Sequence, residues 1–111
     1  MGLIKTSLYT KEQNETAMMA RVIAHPARIA ILQYLLASDT CINSDLVKEL
    51  GLAQATISQH LRELKEIGLI KGTIEGASMC YCINPDTWEQ FRTVFLEFFE
   101  KYKRQENTSC C

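Results

Sequence analysis

The 111-residue chain lacks any apolar run long enough to cross a bilayer, which excludes a transmembrane helix of ordinary length. Met1 to Thr10 also lack the apolar centre of a signal sequence, so a cytoplasmic protein is expected. Met1-Gly2-Leu3-Ile4-Lys5-Thr6 fits the loose myristoylation pattern, yet the chain reads as unlipidated. Neither sign of charge predominates: 12 Lys and Arg stand against 13 Asp and Glu, so bulk electrostatics offers nucleic acid no attraction. Between Ala53 and Gly76, Arg62, Lys65 and Lys71 are offset by Glu63, Glu66 and Glu75, and any phosphate binding there must come from geometry. There is no carboxylate pair, Ser/His/Asp set or phosphate-cradling glycine loop, and the chain reads as a non-enzyme. A chain of this length makes one compact domain with a modest core, which dimerisation would supplement.

What is present is helical punctuation. Thr10-Lys11-Glu12-Gln13 has the form of a capping box and starts a first helix. Pro26 disfavours helical geometry at His25 and suits the first turn of a new helix, so the first ends near Ala24. From Pro26 to Ala37, Ile29, Leu32, Leu35 and Leu36 are expected to face the core. Thr40-Cys41-Ile42 reads as a short extended piece, with Asn43 or Ser44 capping a helix from about Asp45 to Leu50.

The segment Leu50 to Leu69 reads as stop, start, helix and stop. Gly51 ends one pattern, Gln54 and Thr56 open the next, and Ile57, Leu61 and Leu64 recur on one face. At about 100° per residue, Ala55, Gln59 and Arg62 point the other way, flanked by Thr56 and Ser58. Such a face suits the second helix of a helix-turn-helix, whose N-terminal residues enter the major groove; the alternative is an ordinary amphipathic helix on a small core. Gly68 then ends the helix, and Leu69-Ile70-Lys71 and Met79-Cys80-Tyr81-Cys82-Ile83 read as two strands separated by Gly72 to Ser78. Helix, helix and hairpin make a winged helix: mainly α, with a small β-hairpin wing. The expected DNA contacts are Gln54, Ala55, Thr56, Ser58, Gln59 and Arg62, with Lys71 and Thr73 on the wing. His60 sits between the two faces and reads as a packing wedge, His25 as a turn residue.

Asn84-Pro85-Asp86 ends the wing and starts a last helix, along which Trp88, Phe91, Phe95, Phe98 and Tyr102 recur at spacings of three and four, with Phe99 beside them. So many rings exceed the needs of one small domain. Some cover its own core, and the favoured reading of the face is an isologous dimer seam. The chain thus divides into an N-terminal extension over 1–9, a winged helix-turn-helix for DNA binding and dimerisation over 10–104, and a tail over 105–111.

Five cysteines in a cytoplasmic chain point to metal, metalloid or redox chemistry rather than a disulfide framework. In a winged helix the extended piece before the third helix commonly pairs with the outer wing strand, which would set Cys41 beside Cys80 and Cys82. If Ile42, Tyr81 and Ile83 face the core, period two puts the three thiols together on the other face. Three thiolates suit trivalent arsenic or antimony, whereas zinc or cadmium would want a fourth ligand. The alternatives are that Cys80 and Cys82 simply fill a strand, or that the vicinal Cys110 and Cys111 supply the thiolates.

The run Ile23-Ala24-His25-Pro26-Ala27-Arg28-Ile29-Ala30-Ile31-Leu32, then Gln54 to Leu64 with Ser58-x-His60-Leu61, then Glu66-x-Gly68-Leu69-Ile70, resembles the ArsR/SmtB family of metal- and thiol-responsive bacterial repressors over roughly residues 12 to 104. The resemblance implies first and last helices pairing across a two-fold axis. It also implies a DNA operator as partner and release by an inducer, As(III) or Sb(III) first and a soft divalent metal next. Several relatives carry Cys-x-Cys at the start of the third helix, where this chain has Asn43, which puts a four-thiolate site in doubt. The last-helix zinc site of other members needs paired His and carboxylates, and with only His25 and His60 none is expected. Oxidation or persulfidation of two cysteines is the alternative switch, and a winged helix that binds a protein partner is the alternative from another class.

Overall fold

The computed structural model describes residues 6–38, 41–42, 46–76 and 79–104. After a 3₁₀ turn at Thr6–Leu8, the order is α1 (Lys11–Ile23), α2 (Pro26–Leu36), α3 (Leu46–Leu50), α4 (Gln54–Glu66), β1 (Ile70–Thr73), β2 (Cys80–Ile83) and α5 (Pro85–Glu100).

The punctuation has visible causes. Thr10 Oγ1 accepts from the Gln13 amide at 3.0 Å while Gln13 Oε1 accepts from the Thr10 amide at 2.9 Å, so the capping box satisfies two donors at the start of α1. His25 caps α2, its Nδ1 accepting from the Ala27 amide at 3.0 Å, with Pro26 at the first helical position. At the end of α4 the Gly68 amide donates to Lys65 and the Leu69 amide to Leu64, a Schellman closure that needs the positive φ of 85° at Gly68. Asn84 caps α5 through the Asp86 amide. The Asn43 or Ser44 cap lies outside the described residues.

The core gathers Ile31, Leu32 and Leu35 of α2, Leu46 of α3, Ile57, Leu61 and Leu64 of α4, then Leu69, Ile70, Tyr81 and Phe91. The face of α2 differs from expectation. Ile31 is fully buried, whereas Ile29 and Leu36 are 40% and 52% exposed. At 100° per residue Ile31 and Leu35 turn towards α4, which leaves Ile29 and Leu36 beside α5, where they line a groove of about 420 Å³ with Ile23, Trp88, Phe91 and Phe95.

The wing is also shifted from the sequence reading. Leu69 precedes the first strand, and Gly72 and Thr73 belong to it rather than to the turn. Ile70 pairs with Ile83, Lys71 with Cys82, Gly72 with Tyr81 and Thr73 with Cys80. Gly72 has a φ of 111°, and a Cβ there would collide with the Cys80 carbonyl oxygen and Tyr81 Cα, so the hairpin closes only over a glycine.

Along α5 the aromatic stripe divides. Phe91, expected at a dimer seam, is only 7% exposed and sits in its own core, with Trp88 and Phe95 packed partly against it. The start of α5 therefore covers Leu69 and α2. Further along, Phe98, Phe99 and Tyr102 are exposed, and α1, which touches α5, has no buried residue.

Candidate nucleic-acid interface and thiol cluster

Burial of Ile57, Leu61 and Leu64 fixes the rotation of α4. Each contributes roughly 1.5–3 kcal/mol by leaving water, enough to hold the opposite face outward. Gln54, Ala55, Thr56, Gln59 and Arg62 are exposed and Ser58 half-buried. Ala53 precedes the helix and offers no side-chain cap, so the first amides of α4 remain without a capping side chain. The polar groups hold one another: Gln54 Nε2 donates to Ser58 Oγ at 3.1 Å, Arg62 Nη1 to Gln59 Oε1 at 3.3 Å, and Arg62 Nε to Glu75 Oε1 of the wing at 2.8 Å. The Arg62–Glu75 pair is exposed at both ends, and such pairs stabilise by about 0–1 kcal/mol. A phosphate or guanine edge can therefore displace Glu75.

Beneath this face, one arginine ties three helices together. Arg28 donates to the Val22 carbonyl at 2.9 Å and to His60 Nδ1 at 3.0 Å, and it pairs with the Glu63 carboxylate. His60 is buried, and its ring lies 4.5 Å from that of His25, centre to centre. Loss of water pushes the His60 pKa down, and the charges of His25 and Arg28 push the same way, so a neutral ring accepts from Arg28.

The thiols lie at the other edge of the wing. Ile42 and Tyr81 exchange both backbone hydrogen bonds, at 2.7 and 3.0 Å, which brings the segment before α3 against β2. Tyr81 is buried and Ile42 and Ile83 pack on the core, so Cys41, Cys80 and Cys82 share the outer face. The Cys41 thiol interacts with both others. At Cys80 partial loss of water, then the Cys41 hydrogen bond, raises the thiol pKa; at Cys82 the Cys41 hydrogen bond comes first, then loss of water, with Lys71 pulling the other way. Among the described residues, no three Cys, His, Asp or Glu side chains already converge as a metal cage. The donor set nonetheless fits a soft ion: three sulfurs on one face, one strand apart, which side-chain rotation brings together.

A profile described as "Bacterial regulatory protein, arsR family" matches residues 25–71, from the cap of α2 to the first half of β1. The chain is 35% identical over 78 residues to the HTH-type transcriptional regulator CmtR of Mycobacterium bovis, covering 68% of this chain and 65% of that protein. To the HTH-type transcriptional repressor SmtB of Mycobacterium tuberculosis it is 38% identical over 63 residues, or 57% and 46% of the two chains. It also matches the crystal structure of Rv0081 from M. tuberculosis, with a TM-score of 0.60 and 29% identity over 84% of this chain and 97% of that one. Residues 25–71 thus match the ArsR-family domain, and the chain is similar to ArsR/SmtB-type transcriptional regulators. The matched sequence spans only about half to two thirds of these curated relatives.

Within this ArsR/SmtB frame, α3 and α4 are the helix-turn-helix, and β1 and β2 the wing. Six of the expected DNA contacts share α4. Lys71 and Thr73 are exposed but lie on the thiol face of the wing, opposite Cys82 and Cys80. Cys110 and Cys111 lie outside the described residues, as does Asn43. Sequence reasoning missed Arg28, Glu63 and Glu75. Arg28 and His60 are 32 positions apart, and no local period links them; an arginine two residues after Pro26, inside an apolar run, was the available signal.

Proposed function

We propose that this chain is a dimeric DNA-binding repressor of the ArsR/SmtB type, released from its operator when Cys41, Cys80 and Cys82 take a soft ion. The observation that carries the reading is the polar face of α4, held outward by three buried residues at the head of a winged helix. Major-groove contact would fall to Gln54, Ala55, Thr56, Ser58, Gln59 and Arg62. The exposed Phe98, Phe99 and Tyr102 beside an unburied α1 support a two-fold seam, which would set two copies of α4 against successive turns of the groove.

For the inducer, a trivalent arsenic or antimony centre is the first reading and a soft divalent metal the second. The solution structure of the cadmium metal-sensor CmtR of M. tuberculosis is similar, with a TM-score of 0.51 and 27% identity over 86% of this chain and 95% of that one. That likeness makes the divalent class worth equal testing. Ion binding at this site would tie the approach to α3 to the wing, on either side of α4.

The test is stoichiometry of arsenite and Cd(II) on the reduced protein, repeated with Cys41→Ser, Cys80→Ser and Cys82→Ser. One ion per chain, weakened in all three variants, is expected. Full binding in all three, with loss only when Cys110 and Cys111 are removed, would move the site to the tail.

A further inference from the structure

The wing register puts a cation inside the thiol cluster. Lys71 stands directly opposite Cys82 in the antiparallel ladder, so both side chains leave the same face of the sheet. On the other flank of Cys82 stands Cys41. Ile42 and Tyr81 form the hydrogen-bonded pair, which makes Cys41 and Cys82 the adjoining non-hydrogen-bonded pair, the closer of the two spacings in such a ladder. A single row therefore crosses the outer face: Lys71, Cys82, Cys41. A cavity of about 430 Å³ is lined by all three, together with Leu35, Ser38 and Pro85 among others. Among the described residues, no carboxylate forms an ion pair with Lys71.

Charge balance gives that ammonium a task. When Cd(II) replaces the protons of three thiols, three protons go to solvent and the complex carries one net negative charge. When arsenous acid reacts with three thiols, three As–O bonds are exchanged for three As–S bonds, three waters leave, and the product is neutral. Only the first complex needs a counterion.

We propose that Lys71 belongs to the ion site as the fixed countercharge of a three-thiolate complex with a divalent soft cation. The inference rests on the thiol-site reading above and narrows it. Lys71 is a positioning residue here, acting through charge rather than as a ligand. It gives the wing a means of response, because an ammonium held at the complex is withdrawn from DNA phosphate.

The experiment is competitive titration of reduced protein with Cd(II), followed by thiolate-to-metal ultraviolet absorption, with arsenite titrated in parallel. Wild type is compared with Lys71→Gln and Lys71→Arg. Lys71→Gln should weaken Cd(II) roughly fivefold to tenfold, the size of a partly exposed charge pair, and leave arsenite affinity unchanged. Lys71→Arg should restore Cd(II), and high salt should shrink the difference. Equal Cd(II) affinity in wild type and Lys71→Gln would overturn the proposal, as would equal losses for both ions, which would mark a merely structural effect. A wild-type protein that binds neither ion removes the thiol site itself, and Lys71 with it.

Discussion

At the scale of single residues, His60 shows how a side chain beneath the reading face sets its tolerance to acid. Its folded pKa lies below the ordinary 6.5, because burial and the charges of His25 and Arg28 disfavour the imidazolium. Between 6.5 and that lower value the unfolded chain binds the extra proton, so stability is full above 6.5 and falls as pH drops through this window. Facing His60 are His25, Arg28 and Glu63, and protonation would set a cation against the Arg28 guanidinium. Urea unfolding of wild type should show stability declining from pH 7.5 to 5.5, and His60→Gln should flatten that slope. Identical slopes in the two proteins would remove His60 from the account. Arg28 explains why this was hidden in the sequence. A bond across 32 positions joins α2 to α4, and only folding reveals that the two residues face each other.

The elements themselves were largely legible, because each has its own start and stop chemistry. Thr10 and Gln13, Pro26, Gly68, and Asn84 with Pro85 each mark a boundary through local hydrogen bonds or a fixed φ, and local rules suffice for them. The thiol face was legible for the same reason, since alternation about Tyr81 decides which side chains point outward. The start of the turn was not. Gly72 looks like turn punctuation, yet it is a strand residue whose φ of 111° lets β1 approach the Cys80 carbonyl. Gly72→Ala should destabilise the protein by about 1–3 kcal/mol, through the strained φ and the backbone collision together. The check is the urea midpoint. An unchanged midpoint would show that the wing closes without this glycine.

For the whole molecule, periodicity gives α2 and α5 an apolar face but not which neighbour each face meets. Ile29 and Leu36 are expected in the core and lie at a groove, whereas Phe91 is expected at a dimer seam and lies in the core. Both reversals have one cause: α5 folds back over Leu69 and α2, so its early rings are spent within the protomer and its later rings remain outside. The charge of the whole chain, −1, predicts that DNA affinity comes from a few placed contacts rather than a basic surface. The thiol row and the reading helix meet the same small wing, where Glu75 pairs with Arg62 of α4 and Lys71 faces Cys82. The central claim is that an ion on the thiols controls the grip of α4 on DNA.

The most direct measurement is fluorescence anisotropy of a duplex from the promoter of the protein's own gene, titrated with reduced protein, with and without Cd(II) or arsenite, in wild type and Cys82→Ser. The account predicts salt-sensitive binding that the ion weakens by roughly tenfold or more in wild type and leaves untouched in Cys82→Ser. Wild-type protein that carries the ion and holds the duplex as tightly as before, or that never binds the duplex, would contradict it.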